Sequence, residues 1–173
     1  MRRLMLLRHA KALRAEGSPD FQRPLKPVGR DQARTIGEFM AAHDLVPALA
    51  VVSNAVRARE TFDLVDIFLH PPPERIEEPQ IYEATTATLF ELIRRLPNRH
   101  ASAILVGHNP SFEELTSELI ASGEERALSR FGGSMPTGAL AIIDFPAERW
   151  NKITPRSGTL AHFVTPDLAG AEK

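Results

Sequence analysis

Ala103-Ile104-Leu105-Val106-Gly107-His108-Asn109-Pro110-Ser111-Phe112 is the stretch that decides the fold. Four apolar residues in a row, closed by a glycine, read as a strand buried on both faces. Ser111 and Glu114 have capping-box spacing, and Phe112, Leu115 and Leu119 then recur at helical period. A helix is therefore expected to open at Ser111. A doubly buried strand running into a helix is the unit of a sheet covered on both sides.

The same alternation extends outward in both directions. Leu4 to Leu7 reads as a buried strand, followed by a helix over 28–42 with Ala33, Ile36, Gly37 and Met40 on one face. Leu49 to Val52 is a second strand, and a helix from about 56 to 69 turns Phe62, Val65 and Leu69 inward. A weaker strand is expected at Glu78 to Tyr82, before a helix at 86–96 carrying Leu89, Leu92, Ile93 and Leu96. Gly138 to Phe145 and Leu160 to Val164 lack a long helix between them and are expected to pair antiparallel. The expectation is an α/β chain: a three-layer α/β/α sandwich whose central sheet is mostly parallel, with an antiparallel edge. Pro71-Pro72-Pro73, Gly132-Gly133 and Pro155 to Gly158 are too short to be linkers, so residues 1–173 are read as a single domain. Residues from about 166 are expected to be a frayed tail, and the 121–137 segment to shape the mouth of a pocket.

With 173 residues, 43% apolar and 25% charged, the chain is of one ordinary domain's size and composition. It has no cysteine, which excludes disulfides, thiolate zinc sites and cysteine nucleophiles. A net charge of −1 argues against a nucleic-acid binder held by phosphate contacts. No apolar run approaches the roughly 20 residues a bilayer needs, and Leu4 to Leu7 is too short for a secretory leader. A cytoplasmic protein with no membrane partner is expected; nothing in the sequence sets its oligomeric state. The charge is unevenly spread: residues 1–34 are net +6 and the remainder −7. A basic first fifth suits the steering of a small anion, although a solvated face explains it as well.

In open α/β sheets ligands bind beyond the carboxyl ends of the strands. Arg8 and His9 follow the first strand, Ser53 and Arg57 the second, and Gly107, His108 and Asn109 the central one. Two histidines and two arginines are thus brought to one rim by three separate segments. Arginine presents fixed planar donors to phosphate oxygens, and neutral imidazole is a competent nucleophile toward phosphorus. A second histidine would stabilise the equatorial oxygens as charge builds on them. The helix opening at Ser111 and the N–H of Asn109 add positive dipole ends. The chemistry favoured is phosphoryl transfer through histidine.

The motifs carrying these residues resemble a known family. Leu7-Arg8-His9-Ala10-Lys11-Ala12 is similar to the R-H-G signature of the histidine phosphatase superfamily, in the R-H-A-x-A form of its SixA-type phosphohistidine phosphatase branch. Ser53 to Thr61 resembles the S-x-x-x-R-A-x-x-T element, and Val106 to Pro110 the V-G-H-N-P form around the second histidine. Arg23-Pro24-Leu25 with Gly29, Gln32 and Ala33, and Pro136 to Leu140, match further stretches in family order. The resemblance implies a phosphoglycerate mutase-like fold and a phosphatase with His9 as nucleophile. Arg8, Arg57 and His108 would form the phosphate pocket, with Asn109 beside them. No metal or organic cofactor is implied, and the substrate would be a phosphorylated molecule, with a His-phosphorylated protein favoured. Arg23 is a candidate to reach the substrate from the 10–27 loop, or else forms a salt bridge at the start of the next helix. Ala10 stands where the family more often has glycine, which narrows the backbone approach.

Glu83 sits about where larger relatives place a general acid. If it acts as one, a small-molecule phosphomonoesterase or mutase-like enzyme is the alternative, since alcohols then become good leaving groups. Otherwise it is a loop carboxylate at a helix start. A non-catalytic phospho-binding module is the alternative of another class. Nucleotide-loop and nucleophile-elbow patterns are absent from the sequence.

Overall fold

The computed structural model describes residues 1–14 and 16–172. Seven strands form one sheet, β1 (Arg2–Arg8), β2 (Leu49–Val52), β3 (Glu74–Glu77), β4 (Ser102–Gly107), β5 (Ile120–Gly123), β6 (Leu140–Phe145) and β7 (Gly158–Val164). The helices are α1 (Pro27–Ala42), α2 (Val56–Asp66), α3 (Thr86–Arg94), α4 (Ser111–Leu119), α5 (Glu125–Phe131) and α6 (Pro166–Ala171). The strand order is β3-β2-β4-β1-β6-β7-β5.

Alternation within each strand splits the core in two. Leu4, Leu6 and Leu105 face Leu89, Phe112, Leu115 and Phe131 of α3, α4 and α5. Met5, Leu7 and Ile104 face Ile36, Met40, Phe62, Val65 and Ala169 of α1, α2 and α6. Both faces of β1 and β4 are buried, which is why those strands are continuously apolar. The result is the expected α/β/α sandwich.

The expected antiparallel pairing of 138–145 with 160–164 is present as β6 against β7, but β6 also pairs antiparallel with β1 and so lies inside the sheet, whose edges are β3 and β5. The segment 121–137 carries structure of its own: β5 adds parallel to β7 and α5 follows it. At the other edge β3 lies at Glu74–Glu77, ahead of the expected 78–82. Its alternating, largely exposed Glu-Arg-Ile-Glu carries no apolar run to mark it. Pro79 has no N–H to continue the pairing, and Pro79–Ile81 instead make a 3₁₀ turn closed by the Glu78 carboxylate accepting from the Gln80 N–H.

Three helix ends also differ. α2 stops at Asp66, although Leu69 is still buried through two tightened turns, Phe68 N–H to Val65 O and Leu69 N–H to Asp66 O. α3 stops at Arg94. Ser111 is the first helical residue of α4 rather than its cap, because Pro110 already adopts helical φ and ψ of −81° and −12°. The Ser111 hydroxyl turns back to donate to the His108 carbonyl at 3.2 Å. The expected frayed tail is instead α6 over 166–171, with Thr165 Oγ1 accepting from the Leu168 N–H and Ala169 buried in the α1/α2 core cluster. Among the described residues no helix is long and apolar enough to cross a membrane.

Candidate active site

The register of three parallel strands sets the site. Arg8 pairs with Gly107 across β1 and β4, and Val52 with Val106 across β2 and β4. The residues that follow, His9, His108 and Ser53, therefore emerge side by side at the carboxyl rim. The His9 N–H donates to the Gly107 carbonyl and the Ser53 N–H to the Val106 carbonyl, both at 3.0 Å, so the ladder continues one step beyond the strands. Gly107 has no room for a side chain: a Cβ there would sit 2.6 Å from Ile81 Cγ2 and from the Phe112 ring.

The two imidazoles lie with ring centroids 5.3 Å apart, each residue only 8% exposed. His9 Nδ1 lies 2.7 Å from the Ala10 carbonyl, a bond that requires the proton on Nδ1 and leaves Nε2 with its lone pair. Ala10 is anchored in turn, its N–H donating to Thr61 Oγ1 at 3.0 Å while that hydroxyl donates to the Arg57 carbonyl at 2.7 Å. His108 Nε2 lies 2.8 Å from the Ser53 hydroxyl, and its Nδ1 is buried with no partner. Burial, opposed by the Ala10 bond and reinforced by Arg57, Arg8 and Arg23, pushes His9 down from 6.5 to about 4. Burial, then His9 and Arg57, pushes His108 down to about 3. Both rings are neutral near pH 7.

Arg8 and Arg57 flank the pair. Arg8 Nη1 donates to the Met135 carbonyl at 3.0 Å, and burial lowers the pKa of its guanidinium. Arg57, on the first turn of α2, has its side chain 6% exposed and donates from Nη1 to the Asp20 carbonyl at 2.8 Å and from Nη2 to Asp20 Oδ2 at 3.1 Å. The Nε atoms of both arginines are buried without partners. Together with His108 Nδ1 they are buried nitrogens with no partner among the described residues, on side chains whose charge or ring bears on His9. Such a set suits an oxyanion.

The remaining candidates separate. Asn109 Nδ2 donates to the Met135 carbonyl at 2.8 Å and more weakly to Glu113, while its Oδ1 is buried and unpaired. The 121–137 segment thus borders the site through Met135, whose N–H is held by Glu113. Arg23 donates from Nε to Asp20 Oδ1 at 2.8 Å and from Nη1 to the Leu13 carbonyl, so its fork is engaged within its own loop. Glu83 is exposed, at a left-handed φ of 55°, beside Tyr82; no described hydrogen bond joins it to His9, Arg57 or His108.

Sequence reasoning passed over Asp20, Tyr82 and Thr61. The Tyr82 hydroxyl donates to Asp20 Oδ2 at 2.6 Å, its ring stands edge-on to His108 with centroids 5.6 Å apart, and the Arg57 guanidinium lies over it. The Tyr82 bond first, then Arg57 and Arg23, hold the Asp20 carboxyl down to about 2 against the opposing effect of burial. The i,i+3 spacing of Asp20 and Arg23 was the one sequence signal for this cluster. Among the described residues no three His, Asp or Glu side chains gather in a metal-holding group. A cleft of about 580 Å³ lined by Phe39, His43, Arg126, Arg130 and His162 shares none of these groups.

Comparison with known proteins bears on family and fold. Residues 4–83 match the histidine phosphatase superfamily (branch 1). The chain is 32% identical over 164 residues to an uncharacterized protein of Mycobacterium tuberculosis (strain H37Rv), covering 92% of this chain and 99% of that one. An uncharacterized protein of Mycobacterium leprae is 30% identical over 167 residues, with the same coverage. The crystal structure of a candidate SixA phosphohistidine phosphatase from Agrobacterium tumefaciens superposes with a TM-score of 0.80 at 29% identity, covering 95% of this chain and 98% of that one. A SixA protein histidine phosphatase complexed with tungstate superposes at 0.75 with 22% identity, covering 95% and 97%, a likeness of fold.

Proposed function

The chain belongs to the histidine phosphatase superfamily and is a phosphatase, and we propose that it works through a phosphorylated His9 on protein phosphohistidine. The observation that carries this reading is the bond from His9 Nδ1 to the Ala10 carbonyl. It leaves Nε2 unprotonated, in a site where Arg8, Arg57 and His108 carry buried nitrogens with no partner among the described residues.

In this reading the Nε2 lone pair attacks phosphorus, and the bond to the leaving group breaks with its electron pair departing on that group. Arg8 and Arg57 hold the non-bridging oxygens throughout, and fixed donors of this kind need no reorganisation as charge accumulates. In this reading the Ser53 hydroxyl, which accepts from the Ala55 N–H, donates to His108 Nε2, so that the imidazole proton sits on Nδ1 and is offered to the phosphoryl group. Water then attacks the phosphorus of phosphohistidine, the bond to His9 Nε2 breaks, and inorganic phosphate leaves. Asn109 holds the Met135 carbonyl against this pocket, and no metal or organic cofactor enters either step.

The substrate assignment rests on the likeness to the Agrobacterium protein and on the chemistry of the leaving group. An imidazole protonated on its distal nitrogen departs neutral and needs no proton from the enzyme. A labelled aryl phosphate or phosphohistidine peptide should leave an acid-labile, alkali-stable label on the protein that His9→Ala lacks. Binding without label or turnover would make the chain a phospho-binding module. The second reading is a small-molecule phosphomonoesterase with Glu83 as general acid, favoured by its position next to Tyr82 at the rim. Glu83→Gln would then abolish ester hydrolysis and spare phosphohistidine, whereas equal activity of Glu83→Gln on both substrates removes that reading.

A further inference from the structure

His9 is buried, and an in-line displacement from Nε2 sends the leaving group away from that ring, toward the more exposed groups around the histidine pair. The exposed and half-exposed groups joined to the pair through Arg57 and the Tyr82–His108 contact are Asp20, whose side chain is 51% exposed, the rings of Phe21 and Tyr82, and Glu83 next to Tyr82. Phe21 and Tyr82 meet edge-to-face with centroids 5.3 Å apart, presenting flat aromatic surface beside the carboxylate. Asp20 is held from three sides: Arg23 in its own loop, Arg57 on α2, and Tyr82 between β3 and α3. Oδ2 already accepts from both Tyr82 and Arg57, while among the described residues Oδ1 accepts only from Arg23. A carboxylate oxygen takes two donors, so Oδ1 has one acceptor position left.

We propose that Asp20 is the acceptor for the leaving group: Oδ1 takes a hydrogen bond from the distal ring N–H of an N-phosphorylated imidazole lying against Phe21 and Tyr82. This deepens the reading of His9 as nucleophile and rests on it. The bond keeps the distal nitrogen protonated in the complex. When His9 Nε2 bonds to phosphorus, the P–N pair returns to the ring and the imidazole leaves neutral, with no proton delivered in the step. An aryl or alkyl ester has no N–H to offer and gains nothing from Asp20 beyond the anchoring of Arg57. The charged and titratable groups facing Asp20 are Arg23, Arg57 and Tyr82, with His108 and Glu83 adjoining Tyr82. Of these, Arg23 and Arg57 carry fixed positive charge, so Asp20 stays ionised through the working range.

The test compares a phosphohistidine peptide with p-nitrophenyl phosphate, using wild type, Asp20→Asn and Tyr82→Phe. Asp20→Asn should lower both activities, because Arg57 loses an anchor, but lower kcat/KM for phosphohistidine about tenfold more. The alkaline limb of kcat on phosphohistidine should move down by about one pH unit, with the ester profile unmoved. Tyr82→Phe keeps the carboxylate and should hold the ratio of the two activities within threefold. An equal loss on both substrates, or a Tyr82→Phe ratio matching that of Asp20→Asn, overturns the proposal. One further measurement needs no variant: in wild type the alkaline limb of kcat must lie above the pKa of the free phosphohistidine ring, and coincidence of the two refutes the bond. Label on His9 with an unchanged ratio removes only the role of Asp20, whereas absence of that label removes the nucleophile reading as well.

Discussion

Acidification from pH 7 to pH 5 should remove about 2 kcal/mol of stability at each of His9 and His108. The unfolded imidazoles titrate near 6.5, whereas the folded ones are held down to about 4 and about 3. Depressed histidines leave stability complete above the unfolded value. Below it the unfolded chain takes up a proton at each ring while the native chain does not, so stability falls until the native values are reached. At pH 5 the unfolded rings are almost wholly charged and the native rings almost wholly neutral, which amounts to about 1.5 pH units of linkage each. Asp20, held down to about 2 against an ordinary 3.8, acts in a lower window: its contribution is present above 3.8 and is lost toward pH 2. Denaturant titrations at pH 7 and pH 5 would measure the loss in wild type, His9→Asn and His108→Asn. Each variant should lose about 2 kcal/mol less than wild type on acidification. Variants that lose as much as wild type would show that neither ring is held neutral by burial, and the assignment of His9 as a neutral nucleophile would fail with it.

The acid limb of kcat/KM, which reports the free enzyme, should correspondingly lie near the His9 value of about 4 rather than near 6.5, as a pH–rate profile on an aryl phosphate would show. Thr61→Val leaves the buried Ala10 N–H without its acceptor, at a cost of roughly 1–3 kcal/mol. It should also slow phosphoenzyme formation, and Thr61→Ser should restore both the melting temperature and the rate. Gly107→Ala forces a Cβ against Ile81 and Phe112, an overpacking worth roughly 1–3 kcal/mol, so a thermal melt should fall by about 2–10 °C.

The legible part of the molecule is the part where one segment carries its own signal. β4 could be read because both its faces are buried, and His108 because it directly follows that strand. The same holds for Arg8 and His9 after β1, and for Ser53 after β2. β3 was misplaced because an exposed edge strand has no apolar run, and β5 with α5 was missed because four half-exposed residues, Ile120 to Gly123, do not alternate clearly. Asp20 escaped for a different reason. Its partners lie 37 and 62 residues away, at Arg57 and Tyr82, and only the packing of the 20–22 turn against α2 brings them together. Thr61 lies within the Ser53–Thr61 motif, but its task of carrying the Ala10 N–H depends on the chain after β1 meeting α2.

The reversal of β6 within an otherwise parallel sheet has a consequence for how such proteins diversify. A parallel strand brings only its finish to the rim, whereas β6 brings its start, so the turn at Pro136–Gly138 sits next to His9 and is fastened by the Gly138 N–H to the Arg8 and His9 carbonyls. Gly138 holds a φ of +76° there, and Gly132 and Gly133, also left-handed, begin the span that leads to it. Insertions or deletions between those glycine hinges would recontour the doorway while leaving nucleophile, guanidinium pair and sheet register untouched. Descendants of this scaffold have in that short span a place to trade one clientele for another without rebuilding their chemistry.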